Sequence, residues 1–395
     1  MAGDFTGPIA LGYCTNVHAG ADLETNKANL ERHAVAVKAK FSPHAPMGVG
    51  LWLPSVTAQK LRQPGETERF ADWLGERGLS PFTLNGFPYG DFHQPIVKHD
   101  VYLPTWFDPR RRDYTLDLID ILDGLLPAGE EGSISTSPIA WGDPTLTDAQ
   151  WASATANLRE VAARLARLEQ ESGRRIRLCL EPEPGCQLQY SRQMVDLFEQ
   201  YLLPGGDEDA VRRYLGVCHD VCHAAVMFEG QTAVLQRYQA AGIGVGKVQI
   251  SSAVCVDFDR ISPTDRAEAV EQLRGFSEDR YLHQTVVQTD DGTETFFEDL
   301  PLALAQAGDP VELASRWRVH FHVPVYLEKF GLLSTSRNQI EECLVAAREL
   351  TDCRHFEVET YAWGVLPPEL QQAELADGIA AEMEYIEQAF KPIAP

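Results

Sequence analysis

Short runs of β-branched and aromatic residues alternate along this chain with longer stretches whose apolar positions recur at helical spacing. The first run is Ile9–Thr15, followed by a helical stretch over Glu24–Ala39. The second, Met47–Leu53, precedes a helix over Ala58–Arg77, and the third is Phe82–Gly86. A long segment then leads to a helix over Tyr114–Leu126, with Leu116, Ile119, Leu122 and Leu125 as its apolar ladder. After the fourth run, Ser133–Ser137, the pattern predicts a helix over Thr147–Ser172 that opens on a Thr147 or Asp148 cap. Ile176–Leu180, Leu215–His219 and Val245–Ile250 are the fifth to seventh runs, separated by helices over Ser191–Tyr201 and Gln231–Ala241. The eighth, Phe356–Thr360, lies between helices over Arg337–Leu350 and Leu370–Phe390.

Eight strand–helix units in series without a linker predict one α/β domain over residues 1–395, a closed (β/α)8 TIM barrel rather than a doubly wound sheet. Residues 252–335 are too long for a crossover and hold two further strand-like runs, Leu282–Gln288 and Arg318–Tyr326. They read as an insertion after the seventh strand, lying over the barrel mouth.

Composition narrows the function. With 34 basic against 58 acidic residues, a formal charge of −24, the surface repels phosphate backbones and anionic lipid. Neither nucleic acid nor a membrane is expected as a partner. No run approaches the roughly 18 apolar residues of a membrane span. The opening MAGDFTGPIALGYC lacks the basic region of a signal peptide. Eight cysteines scattered through apolar contexts predict a reduced, cytoplasmic protein. The spacing C-x₃-C-H at Cys218, Cys222 and His223 matches no haem or zinc motif.

In a (β/α)8 barrel the chemistry sits at the C-terminal ends of the strands. The fifth ends in RLCLEPEPG with Glu181, the sixth in GVCHDVCH with Asp220 and His223, the seventh in GKVQISS with Gln249, and the eighth in FEVETYAW with Glu357 and Glu359. Side chains alternate between barrel interior and exterior. Inward Glu181, Asp220, Gln249 and Glu359 therefore converge, while His219 faces the helices. A lone Glu after a strand is commonly a loop anchor or a cap; three carboxylates and an amide on four successive strands point to a shared site. Crowded carboxylates repel, and a divalent cation relieves the repulsion. Oxygen-rich ligation suits Mg, Mn or a related ion such as Co or Zn. Asn16 and His18 end the first strand, Trp52 the second, and Asn85, Phe87, Tyr89 and His93 follow the third. Such a mouth suits a small polyhydroxylated metabolite, by stacking and by hydrogen bonds to hydroxyls. Arg110–Arg112 do not share one face and read as a solvated loop.

At these residues the chain resembles the xylose isomerase-like barrel superfamily, which includes sugar epimerases and apurinic endonucleases. The resemblance implies one metal on Glu181, Asp220, Gln249 and Glu359. It implies acid/base roles for Glu181 and Glu359, and substrate contact by His223 in the Asp220–His223 pattern. Gln249 stands where that superfamily has His. His322 of VHFHVP or His283 of RYLHQ could supply the imidazole instead. Within the superfamily, LGYCTNVHAG, NGFPYGDFH, RYLHQ and VHFHVPVY are similar to the EboE-type barrels associated with bacterial metabolite traffic, over nearly the whole chain. The expectation is a metal-dependent isomerase or epimerase of a sugar, cyclitol or sugar phosphate, working through an enediolate. A non-catalytic metabolite-binding barrel is the alternative. The endonuclease reading is disfavoured by AVCVDFDR, which lacks histidine after the seventh strand.

Overall fold

A computed structural model describes residues 9–127, 129–308 and 315–391. Eight parallel strands form the central sheet: β1 (Ala10–Tyr13), β2 (Met47–Trp52), β3 (Leu79–Asn85), β4 (Gly132–Thr136), β5 (Ile176–Leu180), β6 (Leu215–Asp220), β7 (Val245–Ile250) and a last strand, His355–Val358. The last strand pairs with both β1 and β7. A parallel bridge from Cys14 to Gly50 joins β1 to β2 and closes the (β/α)8 barrel. Most of the strand residues are buried on both faces, as a helix-wrapped parallel barrel requires.

Local signals set the helices. The longest, Asp148–Ser172, opens on Thr147, whose hydroxyl accepts from the Gln150 amide while the Gln150 side chain accepts from the Thr147 amide. It closes on Gly173, whose φ of +72° only glycine adopts freely. The helix expected over Ala58–Arg77 is two helices, Ser55–Leu61 and Glu66–Glu76. Pro64 and Gly65 break it, Gly65 with φ of +76°. The helix expected from Tyr114 begins at Pro109, behind an Asp108 cap. Arg110–Arg112 therefore form a first helical turn and not a loop. Arg111 is fully buried and donates to the carbonyls of Pro104, Gly86 and Phe87. The closing helix starts at Leu375, after Pro367 and Pro368.

The chain after β7 builds a second, antiparallel sheet of β8 (Val254–Asp257), β9 (Thr285–Thr289), β10 (Glu294–Phe297), β11 (Ser315–Val319), β12 (Lys329–Phe330) and β13 (Leu333–Thr335). The order is β10-β9-β11-β8-β13-β12. The last barrel strand is accordingly β14. This insertion is tied to the barrel by Gln284 Nε2 to Glu183 Oε1 at 3.0 Å and by Ala253 N to Ser336 Oγ at 2.8 Å. Lys98 also pairs with Asp299 of the insertion at 2.6 Å. All eight cysteines are unpaired thiols. Among the described residues, no helix is long and apolar enough to cross a membrane.

Candidate metal centre

The C-terminal ends of β5, β6, β7 and β14 bring four side chains together. The Glu181 amide donates to Thr136 O, and the Glu359 amide to Ile250 O, so both residues extend their strands by one position. Asp220 is the last residue of β6 and caps the short helix behind it: Oδ1 accepts from His223 N at 2.8 Å and from Ser251 Oγ at 2.7 Å. Ligand atoms of Glu181, Asp220 and Glu359 all lie within 4.8 Å of one another. All three residues are buried, with 2–4% of their surface exposed.

Gln249 stands between them and turns its amide nitrogen toward the acids. Nε2 donates to Glu359 Oε2 and, at 3.3 Å, to Glu181 Oε1. Its oxygen accepts from Cys218 Sγ at 2.8 Å. In this orientation Gln249 cross-links two carboxylates rather than offering a ligand atom. Glu359 Oε1 accepts from Asn16 Nδ2 at 2.8 Å and from Asn85 Nδ2 at 3.0 Å. One layer below, Lys247 and Glu357 form a wholly buried ion pair at 2.6 Å. Outward-facing His219 meets Gln231 Oε1 on the helical layer at 2.7 Å.

Three imidazoles complete the centre, two of them from the insertion. His223 Nδ1 faces Pro182 O at 3.0 Å, His320 Nδ1 faces Gln284 Oε1 at 2.8 Å, and His322 Nδ1 faces Glu359 O at 2.7 Å. Each of these oxygens can only accept, so each Nδ1 carries a proton, and neutral His320 and His322 keep their lone pairs on Nε2. His320 Nε2 lies next to both others, 3.1 Å from His223 Nε2 and 3.3 Å from His322 Nε2. The Gln284 amide is oriented by its own nitrogen, which donates to Glu183 Oε1 at 3.0 Å and Tyr102 Oη at 2.9 Å.

The electrostatics follow from burial. Burial, then the neighbouring Glu359 and Asp220, pushes the Glu181 carboxyl well above the usual range. Burial and Asp220 push Glu359 up to about 8. Burial alone would raise Asp220 too, but the adjoining imidazoles, the His223 amide and the Ser251 hydroxyl bring it below its ordinary value. Burial lowers His322 to about 4 and His320 well below the usual imidazole range, so both are neutral at pH 7. Glu181 Oε2 and Asp220 Oδ2 are buried without any hydrogen-bond partner. Orphaned carboxylate oxygens beside the imidazole nitrogens of His223 and His322 are a donor set that a divalent cation satisfies.

The centre floors a cavity with about 540 Å³ of empty space, its open mouth included. Glu181, Glu183, His223, His320, His322 and Glu359 line one side, with Asn16 and Asn85. Phe87, Phe92, Tyr102, Tyr281, Leu282 and Tyr361 add an aromatic and apolar wall to the lining. Five residues expected at the mouth or as ligands stand behind this lining, among them Tyr89, which meets Tyr114 edge-on with ring centres 5.1 Å apart. His18 is buried against Tyr13 Oη at 2.9 Å and stacks on His33. Trp52 donates to Pro88 O, and His93 meets Asn16 O at 2.6 Å. His283 lies between Glu278 at 3.3 Å and Asp299 at 3.5 Å; against burial, these acids hold it above the ordinary imidazole value. Its neighbour Gln284 faces the cavity instead, because successive residues of an extended segment point to opposite sides. His320, Gln284 and Glu183 are the site residues that strand-end reasoning passes over. The H-x-H spacing of VHFHVP, which puts two imidazoles on one face, is the signal that marks His320.

Neither a protein-family model nor a curated protein sequence matches the chain. Solved structures do match over nearly its whole length. A xylose isomerase-like TIM barrel protein from Mycobacterium smegmatis, in complex with magnesium, is 12% identical with a TM-score of 0.52, over 98% of this chain and 97% of that one. The fold is a xylose isomerase-like (β/α)8 barrel. The probable 3-DHS dehydratase AsbF of Bacillus anthracis is 14% identical at a TM-score of 0.48, over 96% of this chain and 99% of that one. An L-ribulose 3-epimerase is 12% identical at 0.47, over 98% and 95%.

Proposed function

We propose that this chain is a metal-dependent isomerase or epimerase acting on a small, unphosphorylated, polyhydroxylated carbonyl compound of the sugar or cyclitol class. The observation that carries the reading is the pair Glu181 and Glu359. Both are buried at the cavity floor, both are raised toward neutral pH, and an amide ties one to the other. Carboxyl groups poised this way exchange protons with carbon acids near pH 7.

Glu181, Asp220 and Glu359 would hold the cation, with His322 as the nitrogen donor beside Asp220 in place of Gln249. Bound there, the cation would supply Lewis-acid polarisation of a carbonyl and its adjacent hydroxyl. One glutamate takes the proton from the carbon next to the carbonyl, leaving an enediolate. The other returns a proton, to the opposite face in an epimerisation or to the neighbouring carbon in an isomerisation. Asn16 and Asn85 fix the Glu359 carboxylate for this work. His223 is placed to contact substrate hydroxyls. The aromatic wall would exclude water and stack on the apolar face of the ring. That the Mycobacterium smegmatis barrel is in complex with magnesium accords with a divalent cation in this fold.

The lining also speaks to the substrate. Histidines apart, the basic side chain among the described lining residues is Lys98, and its Nζ is already 2.6 Å from Asp299. A phosphate would find no uncommitted cation here, which disfavours a sugar phosphate. We read the insertion as the cover of the mouth, since it supplies Tyr281, Gln284, His320 and His322 to the lining. A second reading, a non-catalytic carrier of the EboE type, is favoured by the Gln249 amide where an imidazole is expected.

Deuterium wash-in from D₂O, with Mn²⁺ present, into a panel of ketoses and keto-cyclitols tests the proposal. Exchange into at least one compound is expected, with a loss of about 10²-fold or more in Glu181→Gln and Glu359→Gln. Binding of a panel member without any exchange would favour the carrier.

A further inference from the structure

The cavity is two-faced, and one of its faces does not suit a polyol. Around Glu181 and Glu359 the lining offers carboxylates, the amides of Asn16 and Asn85 and the His223 imidazole. Away from these groups it turns apolar. The change begins beside His322, whose ring lies 4.7 Å from that of Tyr361. Tyr361 meets Phe92 and Tyr281 edge-on, with ring centres 5.4 and 5.1 Å away, and Phe92 and Tyr281 lie 4.9 Å from each other. Val97 packs into the same group. Val101 touches it and also a second apolar group that holds Phe87, Tyr102 and Leu282, so the two patches are continuous.

Most polar atoms along this wall are already engaged. Tyr102 Oη donates to Glu183 Oε1 at 2.8 Å, and Tyr281 Oη to Phe92 O at 3.2 Å. Gln284 spends its amide on Glu183 and His320, and Lys98 Nζ is held by Asp299. What these side chains leave to a ligand is ring and methyl surface. A hydroxyl laid against it gives up its water and gains no partner, which weakens binding by roughly 10-fold. An apolar group there strengthens binding instead. A molecule hydroxylated on every side therefore matches only one face of the cavity. The wall comes from the segment after β3 and from the insertion, and the acids come from strand ends, so the two faces are built by separate parts of the chain.

We propose that the substrate is amphiphilic: a polyhydroxylated head held at Glu181 and Glu359, joined to an aryl substituent that lies against Phe92, Val97, Val101, Tyr281 and Leu282, as in an aryl glycoside. The inference rests on the isomerase reading above for the head and adds the tail. The rings of the wall favour an aryl group over an alkyl chain, because edge-to-face contact adds to the area buried.

The test is a set of paired ligands on the full chain loaded with Mn²⁺. Calorimetry compares the phenyl and methyl β-glycosides of glucose, galactose and xylose, which share a head within each pair and differ in the tail. At least one phenyl glycoside is expected to bind about 10-fold or more tightly than its methyl partner. Val101 is only half-buried, so Val101→Asn sets an amide between the two apolar patches without opening the core. That variant should lose the preference for phenyl. No binding by any phenyl glycoside, or equal affinity within every pair, overturns the proposal. So does a phenyl preference that survives intact in Val101→Asn. Should the variant fail to fold, the wild-type pairs decide alone. Deuterium exchange into an unsubstituted ketose without any phenyl preference would leave the isomerase reading standing and remove this one. A phenyl preference without exchange into any compound would do the opposite.

Discussion

At the scale of single residues, the centre rests on charges held away from water. Lys247 and Glu357, both fully buried, lie directly beneath it. Gly50 makes the room: a Cβ there would collide with the Glu357 carboxyl. Lys247→Met should destabilise the protein by about 3–5 kcal/mol, because Glu357 keeps its burial and loses its counter-charge. The double variant with Glu357→Gln should recover part of that loss, as read by urea denaturation. Glu382 is a second buried acid, accepting from Thr360 Oγ1 at 2.5 Å, Trp363 Nε1 at 3.0 Å and Val325 N at 3.0 Å. Burial raises it from 4.5 to about 7. The unfolded chain therefore releases this proton at lower pH than the folded one. Stability present below about pH 4.5 is lost as the pH rises to 7, by about 3 kcal/mol. Denaturation midpoints of wild type and Glu382→Gln across that window should show a shallower decline in the variant.

At the scale of elements, signals that are local and uninterrupted are the ones legible in the sequence. Thr147 and Gln150 mark the start of the longest helix, and Thr147→Ala should cost about 1 kcal/mol in thermal or chemical denaturation. The strands Ile176–Leu180 and Val245–Ile250 are short, mostly apolar runs that include the polar Arg177, Lys247 and Gln249, and they lie where the pattern puts them. β3 begins at Leu79, three residues before the expected start, because Ser80 and Pro81 look like a break. Pro81 is accommodated where the β2–β3 register shifts, between Val49 and Gly50. Strand parity placed Glu181, Asp220, Gln249 and Glu359 on the inner face, since each lies at or just past the C-terminal end of a barrel strand whose neighbours are buried on both sides. Parity had no such anchor in the insertion. The choice between His283 and Gln284 there depends on where β9 starts, and one residue reverses the face. Arg111 was hidden for a related reason: its partners are carbonyls of Gly86, Phe87 and Pro104, which no side-chain pattern reveals.

At the scale of the whole molecule, the site is a junction. The barrel supplies carboxylates from strand ends, and the insertion supplies imidazoles and part of the aromatic wall. A cation at that junction would bind the folded chain and not the unfolded one, so chelator-treated protein should melt at a lower temperature. Returning Mn²⁺ at 100 times its dissociation constant should add about 2.7 kcal/mol, seen as a rise in Tm. The long series of apolar runs made the barrel readable, whereas the meeting of residues 181, 220, 320 and 359 exists only after the chain has closed.

Calorimetric titration of Mn²⁺ into stripped wild-type and Asp220→Asn protein tests the centre most directly. Asn caps a helix as well as Asp does, so the turn at His223 survives while the orphaned anionic oxygen is lost. A drop in Mn²⁺ affinity of at least about 100-fold is expected, since loss of even an outer-sphere partner costs 10–100-fold. An Asp220→Asn protein that binds Mn²⁺ as tightly as the wild type would contradict a metal centre at the ends of these strands.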